Sequence, residues 1–203
     1  MAIGSTDKWQ GKDAIKLAVF SLLLFAAMIL GAIPCSITLT SYFYGDAVGA
    51  ILGGVVWMYM RANIKKPWAC LLSSVIVAAI AFFIGQIWTA VLGIVVGGVL
   101  SEIIVRVGRY TNPVANILAF VVWVLCFWTG HGILALISVD MFTQMMINAH
   151  MTAGQVELLL QGLSGINLVL APLACVAGSL IGGGLGYMLF KKHFARAVPS
   201  AQQ

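Results

Sequence analysis

All eleven Lys and Arg residues of this 203-residue chain sit at alternate boundaries of its apolar stretches. Lys8, Lys12 and Lys16 precede the first stretch, Arg61, Lys65 and Lys66 follow the second, Arg106 and Arg109 follow the fourth, and Lys191, Lys192 and Arg196 follow the sixth. Read as six membrane crossings, the stretches leave every cation on one face. Five or seven crossings would scatter the cations over both. Cationic segments beside membrane crossings are retained in the cytoplasm, so both termini are expected there.

Composition removes the soluble alternative. With 62% hydrophobic and 8% charged residues, the chain cannot cover a water-soluble domain with polar surface. The expected fold class is an all-α integral membrane protein: one domain over residues 1–203, six transmembrane helices in a compact bundle. Its lipid partner is the bilayer. The net charge of +5 is carried at helix ends, so no nucleic-acid partner is expected.

A crossing needs roughly 20 mostly apolar residues. The spans are predicted at 12–33, 45–62, 68–85, 86–107, 113–137 and 164–190, with a structured outer lid over 138–162. Pro34 closes the first span, Pro67 opens the third, and Pro113 stands in the first turn of the fifth, where a missing N–H costs nothing. The third and fourth spans nearly touch, so Gly85 and Gln86 must form a very tight turn or a break. The first span is expected to be retained rather than cleaved, because Ala32-Ile33-Pro34 lacks the small-residue pattern of a cleavage site.

Glycine recurs with helical spacing at Gly45, Gly49 and Gly53, at Gly93 and Gly97, and at Gly178, Gly182 and Gly186. In lipid, stripes of small residues let backbones approach and gain dispersion contacts, so these are expected to pack the bundle internally. Ala14 and Ala18 form a similar pair at the cytoplasmic end of the first span, beside Lys12 and Lys16, where a partner protein can dock. Cys35, Cys70, Cys126 and Cys175 have no paired spacing and are expected to pack as small apolar residues.

The stretch Gly54-Val55-Val56-Trp57-Met58 before the basic 61–66 loop, the pair Ser101-Glu102-Ile103-Ile104 and Gly108-Arg109-Tyr110, and the tail Lys191-Lys192-His193-Phe194-Ala195-Arg196-Ala197 together resemble one group. The chain is similar, over residues 11–198, to the S components of energy-coupling factor (ECF) transporters, the substrate-binding membrane subunits of this ABC transporter class, in their Trep-Strep or MptD-like branch. It departs from that branch at Val55, usually proline, and at Val198, usually glycine. The resemblance implies a micronutrient importer of a bacterial or archaeal cytoplasmic membrane. The S subunit would capture ligand from outside and deliver it with a T subunit and two ABC ATPases. It implies no enzymatic role for this chain, with ATP hydrolysis left to the partners, and it places Ala14 and Ala18 at the T-subunit contact.

Read from the residues, the outer half carries the unusual chemistry. Tyr42, Tyr44 and Asp46 cluster in the first outer connection, and Gln86 and Trp88 flank the second. Trp123, Trp128 and His131 follow one another along the fifth helix, and Met141, Met145, Met146 and His150 fill the lid. A ligand pocket is expected between the outer ends of the fourth and fifth helices and the lid. Gln86, Trp88, Trp128 and His131 are expected to line it, with Tyr44 and Asp46 closing it and Met141, Met145 and His150 covering it. Methionine and histidine ligate soft metals and haem iron, and Met146 and His150 are spaced to share a helical face, so haem or a metal chelate stands beside an apolar or aromatic vitamin-like compound as cargo. The metal question stays open, as does a plain amphipathic lid. With no Lys or Arg on the outer side, a highly anionic ligand is disfavoured.

In the inner half, Glu102 and Arg106 are one helical turn apart and are expected to pair. Asn112 and Asn116 are expected to cap and hydrogen-bond the start of the fifth helix. Gly162-Leu163-Ser164-Gly165 matches a rhomboid-protease signature, but no histidine follows at the same depth to serve as base. A scaffold subunit without ligand remains the alternative to transport, and an intramembrane hydrolase a weaker one.

Overall fold

A computed structural model describes residues 9–195, with side chains as far as Lys191. Lys8, Arg196, Ala197 and Val198 lie outside the described residues, as do the side chains of Lys192 and His193. The described chain forms eight α-helices and no strand. These are α1 (Gly11–Ala32), α2 (Gly45–Asn63), α3 (Ala69–Phe83), α4 (Trp88–Val107), α5 (Pro113–Ile137), α6 (Val139–Asn148), α7 (Ala153–Gly162) and α8 (Asn167–Ala195). Successive long helices run antiparallel, so Lys12, Lys16, Arg61, Lys65, Lys66, Arg106, Arg109 and Lys191 all fall at one end, here called the basic end. The lid helices α6 and α7 occupy the other.

Five helices have the length and hydropathy of a membrane crossing; α3, at 15 residues, is shorter. At 1.5 Å per residue it rises only about 22 Å, against a hydrocarbon core of about 30 Å. The tight turn expected at Gly85 ends it. Gly85 has φ +86°, and the Gln86 N–H reaches back to the Ala81 carbonyl, closing the helix with a left-handed residue that glycine adopts without strain.

Small residues set the packing. A Cβ on Gly182 would lie 2.9 Å from Ile51 Cα, and one on Gly186 would lie 3.0 Å from Val55 Cα, so α2 and α8 meet backbone to backbone. Gly93 and Gly97 seat α4 on Cys126, Trp123 and Gly130 of α5 in the same way. The glycine stripes are therefore internal seams. Large apolar side chains such as Ile15, Leu22, Phe82, Leu92, Ile103, Leu118, Leu173 and Ile181 face outward, the surface a bilayer solvates. Cys70 and Cys175 are buried, and none of the four cysteines is disulfide-bonded.

The basic end is cross-tied. Lys66 pairs with Asp13 at 2.6 Å, and the Trp9 indole donates to the Pro67 carbonyl, fastening the start of α1 to the α2–α3 connection. Glu102 is not the partner of Arg106. Its two carboxylate oxygens accept from the N–H groups of Trp68 (2.6 Å) and Cys70 (3.1 Å), capping α3 from a neighbouring helix, while Arg106 is exposed. The cause is the left-handed Trp68 (φ +68°), which turns the orphan amides of the α3 N-terminus toward α4, where a carboxylate is worth more than in a surface pair. Arg61 is fully buried; its Nε donates to Asn116 Oδ1 at 2.8 Å, and its guanidinium lies 5.9 Å from the Tyr110 ring centroid. Burial, then the charge of Glu102, pushes the Tyr110 phenol above its ordinary pKa. Asn112 caps α5 through Val114 and Ala115 N–H, and the Asn116 amide nitrogen donates to the Asn112 carbonyl at 2.7 Å, so both bond the start of the helix as expected; Asn116 also accepts from Arg61 through Oδ1 and from Trp57 through its backbone carbonyl.

Candidate functional site

Pro34 cannot donate into a continuing α-helix. Past Ala32 the chain tightens into two 3-10 segments, Ile33–Ile37 and Leu39–Tyr44, that cross the lid end and feed α2 at Gly45. This strap carries Tyr42 over the interior and sets Asp46 in the first turn of α2, where the positive helix terminus favours a carboxylate. His131 lies on α5 six residues before its end at Ile137, about 9 Å below that end at 1.5 Å per residue. Because α3 is short, the α3–α4 turn stops at the same depth and brings Gln86 to it.

These residues converge. His131 Nδ1 is 2.9 Å from Asp46 Oδ2, and Nε2 is 3.3 Å from Gln86 Oε1. Both acceptors are oxygens, so the arrangement requires either a doubly protonated imidazole or a half-turn of the Gln86 amide that presents its nitrogen instead. Phe127, one turn earlier, packs on the imidazole at 4.3 Å between centroids, and Tyr42 meets it edge-on at 6.1 Å. Around this group opens a cavity of about 230 Å³ between α1, the strap, α2, α3 and α5. Phe25, Met28, Val77, Trp123 and Phe127 make its apolar wall; Tyr42, Asp46, Gln86 and His131 make its polar one. A second cavity of about 210 Å³ lies beneath the lid, walled by Phe142, Met146 and Met151 and by the same Tyr42, Gln86 and His131. Those three side chains are thus the partition between an inner and an outer chamber.

The family model described as a hypothetical bacterial integral membrane protein (Trep_Strep) matches residues 11–196. The chain belongs to the Trep_Strep family. No curated protein and no solved structure matches it. Every residue of both cavities lies inside the matched Trep_Strep region.

Of the residues expected at the site, this Trep_Strep structure brings Asp46, Gln86 and His131 together. The others stand elsewhere. Trp128 is buried with its indole donating to the Phe43 carbonyl at 3.0 Å, a brace for the strap. The Tyr44 hydroxyl donates to Asn167 Oδ1 at 2.8 Å and ties the strap to α8. Trp88 is 48% exposed on an outward groove between α4 and α5, since the glycine contacts of those helices leave no interior space between them. The chamber accordingly lies on the α1–α5 side rather than the α4–α5 side. Met141 points outward at 55% exposure, Met145 packs on the core without lining either cavity, and Met146 and Met151 line the outer one.

The lid is helical, as its spacing predicts, but it is a pair of helices. α6 ends at Asn148, His150 adopts a left-handed φ of +67° in the turn, and Thr152 caps α7. That break leaves His150 exposed and off the helical face that Met146 occupies. No group of three or more His, Cys, Asp or Glu suited to a metal ion occurs among the described residues. Ser164 is exposed in the α7–α8 turn, donating to the Gln161 carbonyl. Sequence reasoning did not place Phe25, Met28 or Val77 at the site, because an apolar residue on an apolar helix carries no mark of the face it takes. Phe127 had a usable signal, its spacing of four from His131.

Proposed function

We propose that this Trep_Strep member is the substrate-capturing S subunit of an ECF-type importer for a micronutrient, working with a T subunit and two ABC ATPases. In this reading α3 is a sixth, short crossing, and the basic end with both termini faces the cytoplasm of a bacterial or archaeal membrane. The observation that carries it is the chamber beneath the lid. Largely apolar, it has four convergent polar side chains and sits at the end opposite the cations, where an imported compound arrives. The two cavities together fall within the roughly 300–1,000 Å³ of small-molecule sites. Each alone is small for a porphyrin, so haem is a cargo only if the Tyr42–Gln86–His131 partition moves.

The docking face is proposed on α1. Ala14 and Ala18 are exposed at the basic end beside Ile15 and Val19, a shallow strip against which another helix can lie. The decisive experiment is Ala14→Leu with Ala18→Leu. The double variant should lose T-subunit co-purification and uptake while the isolated protein keeps the small molecule that mass spectrometry finds with the wild type. Normal assembly and transport in that variant would defeat the docking assignment; a protein that never carries a small molecule would favour an assembly subunit without ligand.

A further inference from the structure

Resting on the reading of the chamber as a ligand site, we infer that its cargo is a compact one- or two-ring compound bearing a protonated nitrogen, held by Asp46. Oδ2 of Asp46 is taken by His131, but Oδ1 makes no hydrogen bond among the described residues and is not sealed from the cavity. The Tyr42 hydroxyl and the Gln86 amide nitrogen are likewise without a protein partner and not sealed off. The inner chamber therefore offers a ligand one charged acceptor, one hydroxyl and whichever end of the Gln86 amide is turned away from His131, between the rings of Phe25, Trp123 and Phe127.

The charges decide the class. Asp46 is 9% exposed, and a carboxylate taken so far from water needs a positive partner. Among the described residues no Lys or Arg lines either cavity, so the protein's own source is His131, and only in its doubly protonated form. A cation bound at Oδ1 supplies the charge instead. With the charge supplied there, a singly protonated imidazole satisfies the same geometry: it keeps Nδ1–H on Asp46 and accepts from the Gln86 amide nitrogen at Nε2 after the half-turn of that amide, which turns the Gln86 oxygen to the chamber. An anionic ligand would add a like charge beside Asp46, with no Lys or Arg among the described residues lining the cavity to offset it. A neutral donor would still bond the carboxylate at Oδ1 but would bring no charge to offset it. The surrounding rings add to the preference, since aromatic faces attract cations. The size of the chamber, below that of a drug-sized pocket, sets the limit of one or two rings.

Benzamidine, benzamide and benzoate test this directly, being nearly the same shape with positive, zero and negative charge. Binding of each to the purified full-length protein in a non-ionic detergent is measured by isothermal titration calorimetry, with thermal stability as a second readout. Benzamidine is expected to bind at least tenfold more tightly than benzamide, with benzoate not binding, and Asp46→Asn should erase the ratio. Equal affinity for benzamide, any preference for benzoate, no binding of benzamidine, or an unchanged ratio in Asp46→Asn would each overturn the proposal. If the variant does not fold, the wild-type ratio decides alone. Because the T subunit is absent, a negative result here leaves the transport reading to its own assembly and uptake test.

Discussion

Asp46, in the first turn of α2, holds the imidazole of His131 at 2.9 Å across 85 residues of sequence, deep in the lid end of the bundle. The pair joins α5 to α2 at the lid end and, among the described residues, supplies the ionisable wall of the inner chamber. Its coupling is measurable. Asp46→Asn and His131→Gln should each destabilise the protein, and the double-mutant cycle, followed by thermal unfolding in detergent, should show an interaction of about 0.5–2 kcal/mol. Strictly additive losses would mean that the contact contributes nothing to stability.

Glu102 predicts an asymmetry that a surface ion pair would not produce. Glu102→Ala strips both acceptors from the α3 N-terminus and should cost about 2 kcal/mol or more, because the amides of Trp68 and Cys70 are left without partners. Arg106→Ala should change stability by no more than about 0.5 kcal/mol. Equal losses in the two variants would restore the Glu102–Arg106 pairing.

At Gly182 the α2–α8 seam tolerates nothing larger than glycine. Gly182→Val drives a side chain into the backbone at Ile51 and should abolish folded, monodisperse protein. Gly184→Ala, two residues on, meets nothing within 4 Å and should be neutral or slightly stabilising. Size-exclusion profiles of the two variants separate the cases.

Trp128 acts as a brace for the strap rather than as a contact for the inner cavity. Trp128→Phe keeps the ring, loses the bond to the Phe43 carbonyl and should lower stability by about 1 kcal/mol. Affinity for benzamidine in that variant should fall only to the extent that Tyr42 and Asp46 are displaced. A loss of binding without a fall in melting temperature would place the indole in the site.

Topology is tested by labelling in intact cells, in a cysteine-free background. An impermeant thiol reagent should modify Asn148→Cys in the lid turn and spare Lys65→Cys until lysis. Labelling at position 65 in sealed cells would invert the orientation.

The chain's own order of residues determined the class of this protein. Clusters of cations at alternate boundaries, apolar stretches of crossing length, and small residues every fourth position made a helical membrane bundle legible without coordinates. Pro34 and Gly85 marked where helices end and Pro113 where one begins, because ring constraint and the left-handed region act locally. Asp46, Gln86 and His131 stood out as polar groups in apolar surroundings, which in a membrane are costly unless paired. The pairing itself belonged to the tertiary structure. Which face of α1 supplies Phe25 and Met28 depends on how α1 packs against α2, and in lipid an apolar helix carries no solvent-facing side to reveal it. The short α3 that lowers Gln86 to the depth of His131, the left-handed Trp68 that turns α3's amides to Glu102, and the glycine contacts that close α4 on α5 and move the chamber to α1 are all contacts between distant segments. Periodicity reports the face of a helix when water lies on the other side; here bilayer and core are both apolar, so only packing could choose.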